Sequence, residues 1–76
     1  MNKPLLTSFM VKNGDTQESL AKAMGLSLSR FNAKVNERDG ASFVQTEMQF
    51  IIDRYKLSND EAVAIFFTPK VALQVR

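Results

Sequence analysis

Apolar residues recur at helical spacing in five successive stretches of this 76-residue chain, and each stretch is closed by a turn signal. The first opens near Pro4, a residue suited to the first turn of a helix. Leu5, Leu6, Phe9 and Met10 form its apolar stripe, and Asn13-Gly14 ends it. The second begins at Asp15 or Thr16, with Asp15 and Glu18 spaced as a capping box. Leu20, Ala21 and Met24 face inward there, Glu18 and Lys22 form an i,i+4 pair, and Gly25 supplies a left-handed cap. The third starts with Ser27 as N-cap and buries Phe31 and Val35; a polar loop with Gly40 then runs from Asn36 to Ser42.

The fourth stretch runs from about Val44 to Tyr55, with Val44, Met48, Ile51, Ile52 and Tyr55 on one face. Phe50 lies off that face and either fills a core gap or sits in a subunit interface. In the fifth, Ser58 and Glu61 are spaced as a capping box, Leu57 can staple against Ala62, and Ile65 and Phe66 point inward. Phe66 and Phe67 read first as core, and Pro69 stops the helix. From Lys70 to Arg76 the pattern switches to alternation, with Val71, Leu73 and Val75 on one side. A lone strand has no partner inside a five-helix domain, so this tail either frays or pairs with another chain. The reading is one all-α domain over 1–76, with a core at about 4–67 and a tail at 68–76.

Composition narrows the function. At 45% hydrophobic and 24% charged residues the chain reads as globular. It has no Cys and no His, which removes disulfides, thiolate zinc sites and the usual general base. Its carboxylates, Asp15, Asp39, Glu47, Asp53, Asp60 and Glu61 among them, show no motif spacing, and no glycine loop cradles a phosphate. An enzyme, a cofactor, a metal and a small-molecule ligand are therefore not expected. Neither a membrane-spanning run nor a signal-peptide pattern is present, so a cytoplasmic protein without membrane contact is expected. The net charge of +2 is unevenly placed. Residues 1–38 carry six basic and three acidic side chains, and residues 39–76 carry four and five. The tilt toward the first half suits a polyanion, although a tilt of this size also occurs on unrelated surfaces.

The basic half contains the densest pattern. In TQESLAKAMGLSLSRFNAKVN, residues 16–36, Leu20 plugs the core and Ala21 is small where two helices cross. Met24 and Leu26 bracket the turn, Gly25 reverses the chain, and Phe31 anchors the second helix. This spacing fits a helix–turn–helix, a device for laying a helix across the DNA major groove. A plain helical hairpin is the alternative. The window, and the chain over roughly 4–67, resembles the lambda-repressor-like superfamily and within it the small Cro-like phage regulators. The stretch FVQTEMQFIIDRYKLSNDEAVAIFF is similar to the closing two helices of such proteins. The resemblance implies five helices, sequence-specific binding of double-stranded DNA and a homodimer. One position departs from it: the usual apolar site near the end of the recognition helix falls on Lys34, and Val35 takes its place.

With Phe31 and Val35 inward, a 100° step per residue turns Ser29, Ala33 and Asn36 outward, with Arg30 and Asn32 on the flanks and Leu28 on the first turn. Asn32 suits paired hydrogen bonds to adenine, Arg30 suits guanine or phosphate, and Leu28 suits a thymine methyl. Ser29 suits a base edge or a phosphate, while Ala33 permits close approach. Ser27 is first an N-cap and a DNA contact only in addition. Gln17 is expected to bridge to the DNA backbone, and Lys34 and Arg38 to contact phosphates. Ordinary roles compete for the same residues: solvated charges for Arg30 and Lys34, a helix start for Gln17, a C-cap for Asn36 and partial burial for Leu28. Phe50, Phe67, Val71 and Leu73 are the candidate dimer contacts. The expected function is a DNA-binding transcriptional regulator of phage or mobile-element type, repressing by steric occlusion. The alternative is a protein–protein or antitoxin-like module that uses the bundle as a scaffold.

Overall fold

The computed structural model describes residues 1–67. Five helices follow in order: α1 (Lys3–Lys12), α2 (Gln17–Ala23), α3 (Leu28–Val35), α4 (Gln45–Tyr55) and α5 (Asn59–Phe66). A 3-10 turn at Arg38–Gly40 interrupts the α3–α4 connection. Among the described residues there is no strand, and no helix is long and apolar enough to cross a membrane. Pro69 and the alternating segment 70–76 lie outside the described residues.

Local chemistry sets the boundaries. The Asn2 side chain accepts from the Leu5 N–H at 3.1 Å, and Pro4 sits in the first turn of α1. Both α1 and α2 end in the paired bonds of a Schellman turn. At α1, Gly14 N–H donates to the Val11 carbonyl and Asp15 N–H to that of Met10, at 3.0 and 2.8 Å. Ser58 and Glu61 form the capping box read from the sequence, with reciprocal bonds of 2.8 and 3.1 Å. The box at α2 differs. Thr16 is the N-cap, and its partner is Ser19, not Glu18. Asp15, expected as a cap, has a different role.

Each helix contributes one large, fully enclosed side chain: Leu6, Leu20, Phe31, Ile51 and Ile65. Met10, Ala21, Val35, Tyr55, Leu57 and Ala62 are also buried, while Leu5, Phe9, Met24, Met48, Ile52 and Phe66 are half-buried against this core. One residue of the expected α4 face is wrong. Val44 is the exposed N-cap of α4, because its extended backbone leaves it outside the helical repeat. The core instead takes Phe43, the residue that follows the polar loop. Its ring meets Phe31 edge-on at 5.8 Å and Phe66 at 6.3 Å.

Asp15 ties the α1–α2 turn to the end of α4. Its carboxylate accepts two bonds from Arg54 (2.8 and 3.0 Å), one from the Tyr55 hydroxyl (2.6 Å) and one from Ser19 (2.8 Å). The side chain is 9% exposed. The Arg54 guanidinium, helped by Tyr55 and Ser19, outweighs burial and holds this carboxyl well below the usual aspartate range. A depressed folded pKa contributes stability that is complete above the unfolded value of about 3.9 and is lost progressively as pH falls from there toward the folded value. Asp15→Asn is expected to cost about 1–3 kcal/mol at neutral pH, lowering the melting midpoint by roughly 4–8 °C per kcal/mol. Thermal melts from pH 7 to pH 2 check this: the gap between wild type and variant should be constant above about pH 5 and shrink below about pH 4.

Candidate nucleic-acid interface

α2 and α3 pack against each other across a four-residue connection, Met24 to Ser27. The chain leaves α2 through Gly25 at φ +75°, a conformation that penalises any residue with a β-carbon. Gly25 N–H donates to the Lys22 carbonyl and Leu26 N–H to that of Ala21, at 3.0 and 2.9 Å, which folds Leu26 back toward the core. The Ser27 hydroxyl then accepts from Arg30 N–H at 3.2 Å and starts α3, the N-cap role read from the sequence.

Phe31 is 0% exposed and Val35 is buried, so the inner side of α3 is as expected. Its outer side is not uniform. Leu28 (43% exposed), Ser29 and Arg30 are all exposed, whereas Asn32, Ala33 and Lys34 are half-buried. The first turn is the most open part; Asn32, Ala33 and Lys34 are partly covered, Lys34 by Ser42 and Glu47, and Asn36 beyond them is exposed again. The accessible edge therefore combines an apolar side chain, a hydroxyl and a guanidinium, with the Asn32 amide behind them. Arg30 and Arg38 form no salt bridge among the described residues, so their charges remain available to an anion. Gln17 is half-buried at the first position of α2.

Two expected contacts are otherwise engaged. Lys34 is not a free phosphate ligand: its amine lies 2.9 and 3.2 Å from the two Glu47 oxygens and 3.4 Å from the Ser42 carbonyl. The pair is largely enclosed, with the side chains 14% and 19% exposed. Burial opposes ionisation of Glu47, but the Val44 N–H and Lys34 outweigh it and lower the carboxyl pKa. Asn36, expected to point at DNA, is the C-cap of α3. Its Nδ2 donates to the Asn32 carbonyl at 2.8 Å, and its Oδ1 accepts from Lys3 at 2.9 Å.

The candidate dimer contacts are divided. Phe50 is 37% exposed and borders a cavity of about 180 Å³ with Met24 and Thr46, so it does not fill a core gap. Phe67 is 60% exposed, at the rim of a cavity of about 200 Å³ that includes Phe43, Met48 and Phe66. Phe67, expected in the core, is instead the C-cap of α5 and lies on the surface. Val71 and Leu73 lie outside the described residues. Sequence reasoning missed Phe43 and the tie between Lys34 and Glu47. The only available signal was Glu47 three residues after the N-cap of α4.

No family model, curated protein or solved structure matches this chain. Among the described residues, no group of three or more acidic side chains is placed to hold a metal ion.

A β-carbon at Gly25 would meet no atom within 4 Å, so Gly25→Ala isolates the backbone cost of the turn. That cost is about 1–2 kcal/mol. Urea titration should show a lower midpoint with an unchanged slope; an unaltered midpoint would mean that the turn relaxes to another conformation.

Proposed function

We propose that this chain is a sequence-specific duplex DNA-binding protein, a repressor-like transcriptional regulator of phage or mobile-element type, with α2 and α3 as a helix–turn–helix. α3 enters the major groove, and control is by occlusion of the bound site. One observation carries this reading: α3 is anchored from behind by a fully enclosed Phe31 while Leu28, Ser29 and Arg30 are all open to solvent. Eight residues at about 1.5 Å each give a rod of about 12 Å, comparable to the width of the major groove. Helices that read DNA present their N-terminal residues to base edges. Here that end holds Arg30 for guanine or phosphate and Leu28 for a thymine methyl, with Ser29 beside them and Asn32 for adenine one turn on. Gln17 and Arg38 supply backbone contacts.

A homodimer fits this reading, because paired recognition helices about one DNA turn apart match a palindromic site. The exposed Phe50 and Phe67 are its contact candidates. The same two side chains also favour the second reading, a protein–protein or antitoxin-like module in which the bundle is a scaffold. The two readings differ in salt response. DNA affinity falls steeply as salt rises, whereas an apolar protein interface responds little.

Selection of bound duplexes from a random pool tests the proposal. A palindromic consensus is the expected result, and no enrichment over unselected DNA would refute it. On the selected duplex, Ser29→Ala combined with Asn32→Ala should cost about 1–3 kcal/mol per lost base contact while leaving affinity for scrambled duplex nearly unchanged. An equal loss on both duplexes would place these residues on the DNA backbone instead of the bases.

A further inference from the structure

Glu47 takes Lys34 away from the surface that meets DNA. We infer that this carboxylate, without touching DNA, sets how well the chain distinguishes its own site from other duplexes. The inference rests on the duplex-DNA reading of α3.

One Glu47 oxygen receives both the Lys34 amine at 2.9 Å and the Val44 N–H at 3.0 Å. The second oxygen also receives Lys34, which donates in addition to the Ser42 carbonyl. A single carboxylate therefore joins the last turn of α3, the end of the 36–44 loop and the first turn of α4. Arg30, one turn earlier on α3, also lies in its field. α2 packs on α3 across the Gly25 turn, the 38–40 turn and Phe43 also lie against α3, and Lys3 reaches its C-cap through Asn36. Among the described residues, the ion pair between α3 and α4 is that of Lys34 with Glu47.

Two consequences follow. A phosphate must compete for Lys34 against a carboxylate already at hydrogen-bond distance in a largely enclosed setting, where charge pairs interact strongly. Lys34 is thus withheld from sequence-independent attraction. The tie also fixes the rotation of α3, which base contacts require and phosphate contacts do not. Glu47 is a positioning residue: losing it frees a cation for any duplex and loosens the helix that reads one duplex.

Glu47→Gln tests this, because its amide oxygen still accepts from Val44 N–H while the charge on Lys34 is released. Affinity is read by fluorescence anisotropy over a salt series, on the selected duplex and on a scrambled one. Glu61→Gln is the control, since it removes the equivalent capping carboxylate at α5. Glu47→Gln should steepen the salt dependence on scrambled duplex by about 0.9, the value of one added phosphate contact. It should also lower the preference for the selected duplex about tenfold, the scale of one lost base contact. Lys34→Met should leave the salt dependence unchanged. The inference fails if Glu47→Gln matches Glu61→Gln in both readings, or if Lys34→Met alone lowers the dependence by about 0.9. A wild-type chain with no affinity for any duplex removes the DNA reading and this inference with it, whereas wild-type binding with unresponsive variants removes the inference alone.

Discussion

The enclosure of Phe31 is the constraint on which the rest of the structure depends. α3 is eight residues long, and an isolated helix of that length does not persist in water. It persists here because Phe31 is shut off from solvent and meets Phe43 edge-on, which in turn meets Phe66. Burying one aromatic side chain is worth about 1.5–3 kcal/mol, a large fraction of the stability of a small domain. The three rings link α3, the loop behind it and the end of α5. The helix that carries the candidate interface is thus held by the same contacts that close the fold, and its outer side is left free of structural duty at the first turn.

Polar ties finish what the core begins. Asp15 and Glu47 each accept bonds from two or more parts of the chain, and each has a basic partner far away in sequence. Asp15 locks the α1–α2 turn to the end of α4, and Glu47 locks the end of α3 to the start of α4. Both act on α4, which becomes the strut between the two turns that flank the α2–α3 pair. A domain of this size buries a modest fraction of its surface, and directional bonds to enclosed carboxylates add to what packing supplies.

Much of this was legible in the residues, for identifiable reasons. Helical periodicity located all five helices, and residue-level signals located their ends: Gly25, Ser27, Ser58 with Glu61. Those signals are local, acting within about one turn. What was not legible was everything that depends on distant neighbours. Phe43 sits in a loop with no period, so nothing in the pattern announced its burial. Val44 shares the α4 repeat in sequence but lies on extended backbone before the helix begins. Lys34 looked like a surface cation, and Asp15 like a helix cap. Each was taken by a partner, 13 residues away for Lys34 and 39 and 40 for Asp15. At the candidate interface the inward direction of α3 was readable from Phe31 and Val35. The cover over Lys34 was not, since it comes from Ser42 and Glu47.

The charge tilt of the chain survives these long-range pairs, and this bears on any polyanion partner. Of the cations in residues 1–38, Lys34 is neutralised by Glu47; of the anions there, Asp15 is neutralised by Arg54. Both partners come from the second half, so one pair removes a positive charge from the first half and the other removes a negative one. With these two pairs set aside, five basic and two acidic side chains remain there, the same excess of three as in the bare count, and one of the two acids, Glu37, is paired with the N-terminal amine. The distribution changes even though the total does not. The enclosed charges are withdrawn from the field felt by an approaching molecule, while Lys22, Arg30 and Arg38 stay exposed on α2, on the open first turn of α3 and in the following loop. The Lys34–Glu47 pair ties the end of α3 to α4, while Arg30 on the first turn of α3 and Arg38 in the loop after it carry no such tie. A short helix needs this division, because a cation holding the fold together cannot also be given to a ligand without loosening the surface that the ligand meets.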